Sequence, residues 1–221
     1  MSTSGLSSAR LAHMHMVLAR HVERGILPGL VTLISRHGEV FVDAIGMQAI
    51  AGNDPMRRDT IFRIASMTKP VTAVAAMMLV EECKLRLDEP IDQLLPELAN
   101  QNVLKRIDGP LDETEPAVRP ITVRDLLTLR MGFGYILEDA SEYPIQKAID
   151  ALDLSTDTDP SKHVTPDEWI ARLATLPLLH QPGDGWMYDT GLDVLGVLIA
   201  RAANQPLDVF FLKSRKMYGR N

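Results

Sequence analysis

Phe62-Arg63-Ile64-Ala65-Ser66-Met67-Thr68-Lys69-Pro70-Val71-Thr72-Ala73 sets a serine three residues ahead of a lysine at the mouth of a long apolar run. Pro70 suits a first helical turn, where few amides have an intrahelical partner, and residues 71–80 are apolar except for Thr72. The run therefore predicts a buried helix that begins near Ser66. Residues three apart on a helix are neighbours, with roughly 5 to 6 Å between Cβ atoms, so the Ser66 hydroxyl and the Lys69 amine reach one another. A serine is a poor nucleophile until a base takes its proton, and a lysine sunk in apolar surroundings becomes such a base. Moving Lys69 from about 10.4 to near 7 costs roughly 4 to 5 kcal/mol at about 1.36 kcal/mol per unit, which burial against an apolar helix supplies. A helix start also presents unpartnered amides and a positive dipole end to charge developing at Ser66. The spacing by itself is weak. Ten serines and seven lysines in 221 residues give about 0.3 such pairs by chance, so Ser66 as a helix cap and Lys69 as a solvated charge fit equally well. Against that bland reading, a lysine is unfavourable in a first turn.

The rest of the composition sets bounds. The chain is 46% hydrophobic and 24% charged, the balance of a globular protein with one large core or a core carrying an inserted subdomain. A net charge of -6 without long runs of one sign argues against nucleic acid as a partner. The single cysteine, Cys83, excludes an internal disulfide and a cysteine-rich metal site, and is expected to pack within its helix. No apolar run approaches the roughly 18 residues of a membrane span, and the N-terminus lacks a secretory pattern, so a cytoplasmic location is expected, or a periplasmic one if a leader has been removed.

Along the chain, Leu11, Met14, Leu18 and Val22 recur at helical spacing up to Gly25. His13 and His15, two apart, point to different faces and make a metal site there improbable. Residues 30–35 and 40–45 read as a hairpin turning at Arg36-His37-Gly38-Glu39. Residues 107–120, rich in proline and acids, read as a surface loop, and the acidic stretch 138–164 as a second. Thr122 and Asp125 form a capping-box pattern before Leu126 and Leu127, in a helix that Gly132 and Gly134 are expected to end. Thr165-Pro166-Asp167-Glu168 starts another helix, with Trp169, Leu173 and Leu176 as its apolar face. The glycine-rich loop Pro182–Gly191 leads into the apolar run 194–203 and carries Tyr188, which either projects into a cleft or caps the core with its hydroxyl in water.

Ser66-Met67-Thr68-Lys69, residues 85–90 (LRLDEP), 119–128 (RPITVRDLLT) and 188–196 (YDTGLDVLG) stand in an order that resembles the serine β-lactamase-like hydrolases. These include class C β-lactamases, low-molecular-weight penicillin-binding proteins and family VIII esterases. The resemblance runs from about residue 10 to 212. It implies an α+β fold: an antiparallel sheet flanked by helices, with a largely helical subdomain at about 85–180 inserted in one domain. It also implies that Ser66 is the acylated nucleophile, Lys69 its proton partner and Tyr188 a second base or proton shuttle, with the Ser66 amide as half of the oxyanion hole. Neither a metal nor an organic cofactor is implied.

Two departures bear on substrate. Thr190 stands where penicillin-binding members carry asparagine and lacks the amide's donor and acceptor pair, which leans the reading toward a small ester or related acyl substrate. Leu129-Arg130-Met131-Gly132 replaces the family's His-Thr-Ser-Gly. Nothing after Tyr188 matches the family's third motif, a Lys-Thr-Gly or His-x-Gly strand that supplies the second oxyanion amide. The chain is thus expected to be the N-terminal portion of the fold, incomplete at its C-terminus. Three functions stand open from the sequence: a serine hydrolase working through a Ser66 acyl-enzyme on an ester or amide, a β-lactamase or D-alanyl-D-alanine peptidase, and a shortened non-catalytic binding or assembly module. The open hairpin edges would in the last case pair with a second copy. A Ser-His-Asp triad is disfavoured: no Gly-x-Ser-x-Gly occurs, and His180, the best-placed histidine, reads as structural.

Overall fold

The computed structural model describes residues 5–154 and 164–218. The chain forms two compact units, Met1–Ile64 and Ala65–Asn221.

In the first unit, Ser7 caps helix α1 (Ser8–Glu23), which ends ahead of Gly25 in the left-handed region. Strands β1 (Gly29–Arg36) and β2 (Glu39–Gly46) pair antiparallel in the register Gly29↔Gly46 to Arg36↔Glu39. The expected hairpin is present: His37 and Gly38 both have positive φ, +49° and +79°, the tight turn whose twist matches its flanking strands. α1 packs on β2, and His15 Nδ1 lies 2.8 Å from an Asp43 carboxylate oxygen. No residue of α1 is buried.

The second unit is built around one helix. After a 3₁₀ turn at Ala65–Met67 comes α2 (Thr68–Glu81). Short strands β3 (Asn102–Leu104) and β4 (Thr114–Pro116), then α3 (Val123–Leu127), α4 (Pro144–Ala151), α5 (Pro166–Leu173), α6 (Thr190–Ala202) and α7 (Leu207–Tyr218) follow. α6 packs against α2, α3, α5 and α7, and every residue from Val194 to Ile199 is buried. Its apolarity on all sides is that of a core helix rather than a surface one. Arg201 near its end donates to both carboxylate oxygens of Glu97 at 2.8 Å and to Asp167 at 2.8 Å, tying α6 to two neighbouring segments. Among the described residues no single helix is long and apolar enough to cross a membrane.

Several expectations needed correction. α2 is buried on one face only: Thr72, Ala75, Ala76 and Leu79 face the core, whereas Val71, Val74 and Met77 are exposed. The 107–120 loop contains β4, which pairs with β3, because Pro116 lies at a strand end where its missing N–H is tolerated. The 138–164 stretch contains α4, with Pro144 at its first turn and Ile145 and Ile149 buried; residues 155–163 lie outside the described residues. α3 ends before either glycine. Its chain reverses at Leu129, φ +58°, where the Arg130 amide donates back to the Asp125 carbonyl at 2.7 Å. Cys83 does not pack: it is exposed, past the end of α2, at φ +57°.

Both expected helix caps are present. Thr122 and Asp125 cap each other's backbone amides in a capping box, and Thr165 accepts from the Glu168 amide at 3.2 Å. On α5 the buried face is Ile170 and Leu173, continued by Leu176, with Trp169 half-buried.

Candidate active site

Ser66 sits in the 3₁₀ turn that feeds α2, exposed to solvent. Ala65 before it has φ +44°, a region costly for a residue with a Cβ and one that recurs at active sites. The turn presents the Ser66 hydroxyl outward instead of folding it onto the helix as a cap. One turn on, Lys69 reaches back, and its Nζ donates to Ser66 Oγ at 3.3 Å. The predicted pair is therefore in contact.

Tyr188 arrives from the far side of the chain. Its carbonyl accepts from the Tyr135 amide at 2.8 Å, in an isolated antiparallel bridge. Gly134 permits that approach, since a Cβ there would lie 2.5 Å from the Tyr188 oxygen and 2.7 Å from Met187 Cβ. Lys69 Nζ stands 4.8 Å from the centre of the Tyr188 ring, a cation–π distance, and the half-exposed Trp186 flanks the same ring at 6.1 Å. All three predicted residues, Ser66, Lys69 and Tyr188, thus meet around one ammonium.

Two residues were missed. Asp189 forms an ion pair with Lys69 Nζ, and both side chains are about one-fifth exposed. Asp193, in the first turn of α6, lies within electrostatic reach of both Asp189 and Lys69. The sequence offered a faint signal, an acid immediately after the tyrosine and another four residues on.

These acids overturn the expectation that Lys69 is a depressed amine. Burial pushes its pKa down, but the Asp189 hydrogen bond and charge, with smaller help from Tyr188 and Asp193, outweigh it and hold Lys69 above the ordinary lysine value. Lys69 is an ammonium in this arrangement. The Asp193 carboxyl is pushed up to about 6, first by the protein crowded around it and then by the Asp189 charge, with Lys69 opposing. Its surface is nonetheless exposed to water, which tempers that crowding.

His180 lies elsewhere, with its ring against Gly185 and its amide on the Gly132 carbonyl, a structural placement. Among the described residues no group of three or more His, Cys, Asp or Glu side chains is arranged to hold a metal ion.

An α+β fold with helices around small antiparallel sheets and a Ser-x-x-Lys turn facing a tyrosine loop defines a β-lactamase/transpeptidase-like protein. The chain belongs to the Beta-lactamase family, whose model matches residues 16–214. It is 38% identical over 206 residues to the esterase EstB of Burkholderia gladioli, covering 91% of this chain and 48% of that protein. Among solved structures it resembles EstCE1, described as a hydrolase with promiscuous acyltransferase activity, at a TM-score of 0.79 and 30% identity over 96% of this chain and 52% of that one. Unliganded simvastatin synthase LovD of Aspergillus terreus superposes with a TM-score of 0.73 at 25% identity, over 94% and 52% of the two chains. The chain spans about half the length of the curated relatives it matches.

Proposed function

We propose that this chain carries the nucleophile half of a serine hydrolase that transfers acyl groups from small esters through a Ser66 acyl-enzyme. The observation behind this reading is the convergence of Lys69 Nζ on Ser66 Oγ at 3.3 Å beside the Tyr188 ring. Both units would belong to one family domain, with residues 85–180 as its helical subdomain.

In the acylation step Ser66 Oγ bonds to the ester carbonyl carbon, the carbonyl π pair moves to oxygen, and the Oγ proton passes to a base. That base is the amine form of Lys69 or the Tyr188 phenolate. Collapse of the intermediate breaks the bond to the alcohol, and the base returns its proton to the leaving alkoxide. Water, or a second alcohol, then attacks the acyl-enzyme. The likeness to EstB, an esterase, and to EstCE1, a hydrolase with promiscuous acyltransferase activity, supports ester chemistry. Thr190, in place of an asparagine amide, supports it over β-lactam chemistry.

Turnover of p-nitrophenyl acetate, p-nitrophenyl butyrate and nitrocefin tests the reading. Ester release lost in Ser66→Ala, and slowed by at least about 100-fold in Lys69→Ala or Tyr188→Phe, is expected of groups that activate a nucleophile and move its proton. Ester release that survives Ser66→Ala removes the nucleophile assignment, and faster turnover of nitrocefin than of either ester removes the substrate class.

A further inference from the structure

Asp189 occupies an expensive position and uses it for one contact. It is the N-cap of α6, where an aspartate ordinarily accepts from the second or third helical amide, yet its side chain makes no capping bond. Its backbone, φ +85° and ψ -81°, lies in the rare positive-φ γ-turn region, a strain of order 1 to 3 kcal/mol for a residue other than glycine. A glycine would relieve the strain, and a cap bond would add about 1 kcal/mol. Both are forgone while the carboxylate is turned onto Lys69 Nζ.

We propose that Asp189 is a positioning residue for the acyl transfer proposed above: its carboxylate holds Lys69 as an ammonium against Ser66 and sets the pH at which Lys69 turns into a base. This inference rests on the Ser66 reading and adds a control to it. The geometry supports the assignment from three sides. Lys69 Nζ is held at once by Ser66 Oγ, the Asp189 carboxylate and the Tyr188 ring face, so its four-carbon stem is fixed at the atom that matters. Charged groups on α3 and α6 are paired elsewhere: Arg124 with Asp88, Asp125 with Arg119, and Arg201 with Glu97 and Asp167. Among the described residues, the charged groups that raise Lys69 are Asp189 first, then Tyr188 and Asp193. Loss of the ammonium proton to solvent leaves an amine facing Ser66 Oγ, able to take the hydroxyl proton as the Oγ–carbon bond forms.

Titration of Lys69 tests this without requiring turnover. In the Ser66→Ala protein, trace acetylation by acetic anhydride between pH 6 and 11 is followed on the Lys69 peptide by mass spectrometry, with added Nα-acetyl-lysine amide as the free lysine reference. Lys69 is expected to become reactive at higher pH than the free lysine reference. Asp189→Asn should move its curve down by about one pH unit or more, and Asp189→Glu should return it toward the parent. In the Ser66 protein, the alkaline rise of fluorophosphonate labelling should move by the same interval. Lys69 titrating below the free lysine reference with Asp189 intact overturns the proposal even if Asp189→Asn fails to fold. A folded Asp189→Asn whose Lys69 curve stays in place overturns it too, because a purely structural Asp189 would lower rates without moving a titration. Absence of fluorophosphonate labelling with a normal Lys69 shift would instead remove the Ser66 reading.

Discussion

Replacing Asp125 by alanine should unlatch the helix that abuts the site. The Asp125 carboxylate accepts four hydrogen bonds: from Arg119 Nη1 and Nη2 at 2.6 and 2.9 Å, from the Thr122 amide at 2.9 Å and from Thr122 Oγ1 at 2.8 Å. Its side chain is 7% exposed, against 39% for Arg119. Removing one partner of a buried pair costs about 3 to 5 kcal/mol, and the access of Arg119 to water trims that to about 2 to 4 kcal/mol. For a chain of this size each kcal/mol moves Tm by roughly 2 to 4 °C, so a fall of about 4 to 16 °C is expected. α3 also lies against the start of α6, where a Cβ at Gly191 would stand 3.1 Å from the Leu126 carbonyl oxygen. The loss should therefore reach the Tyr188-Asp189 turn. Urea unfolding followed by circular dichroism measures the change. The sign with pH follows from the carboxyl itself: burial raises its pKa, but Arg119 and Thr122 outweigh this and hold it below the ordinary value. Its stabilisation is present above about pH 4 and is lost as pH falls through the lowered pKa, so the gap between parent and variant should narrow only under strongly acidic conditions. A loss below about 1 kcal/mol at pH 7, or a gap that narrows between pH 8 and 6, refutes the reasoning.

Two further changes carry clear signs. Cys83 ends α2 in the left-handed conformation, with its amide on the Val80 carbonyl and the Lys84 amide on Leu79, an arrangement that favours glycine; Cys83→Gly should raise stability by up to about 1 kcal/mol in urea unfolding, and destabilisation would show that the thiol packs after all. Asp193, whose carboxyl is pushed up to about 6, opposes folding when ionised and ceases to do so as pH falls toward the ordinary carboxylate value. Asp193→Asn should accordingly raise Tm at pH 8 and leave it unchanged near pH 4, and an equal effect at both would remove the electrostatic cause.

Local chemistry made much of this legible. The hairpin followed from two β-rich runs joined by Arg36-His37-Gly38-Glu39, and the starts of α3 and α5 from Thr122 and Thr165, whose caps involve residues three apart. The contact between Ser66 and Lys69 is equally local. What escaped depends on distant partners. The ion pair that reverses the expected charge of Lys69 joins residues 120 positions apart, and a lysine entering an apolar run gives no hint of it. The apolar run in α2 looked buried because apolarity reports what a face prefers, not whether a neighbour covers it, and Val71, Val74 and Met77 are open. β4 was hidden by the prolines and acids of the 107–120 stretch, because a three-residue edge strand needs only one row of hydrogen bonds.

The central claim is that Ser66 is a nucleophile activated where it stands, and intact-mass spectrometry after exposure to p-nitrophenyl acetate and a fluorophosphonate tests it most directly. One adduct per chain, mapped to the Ser66 peptide and absent from Ser66→Ala, is the predicted result. An adduct elsewhere, or none on a chain shown by near-ultraviolet circular dichroism to be folded, would contradict it.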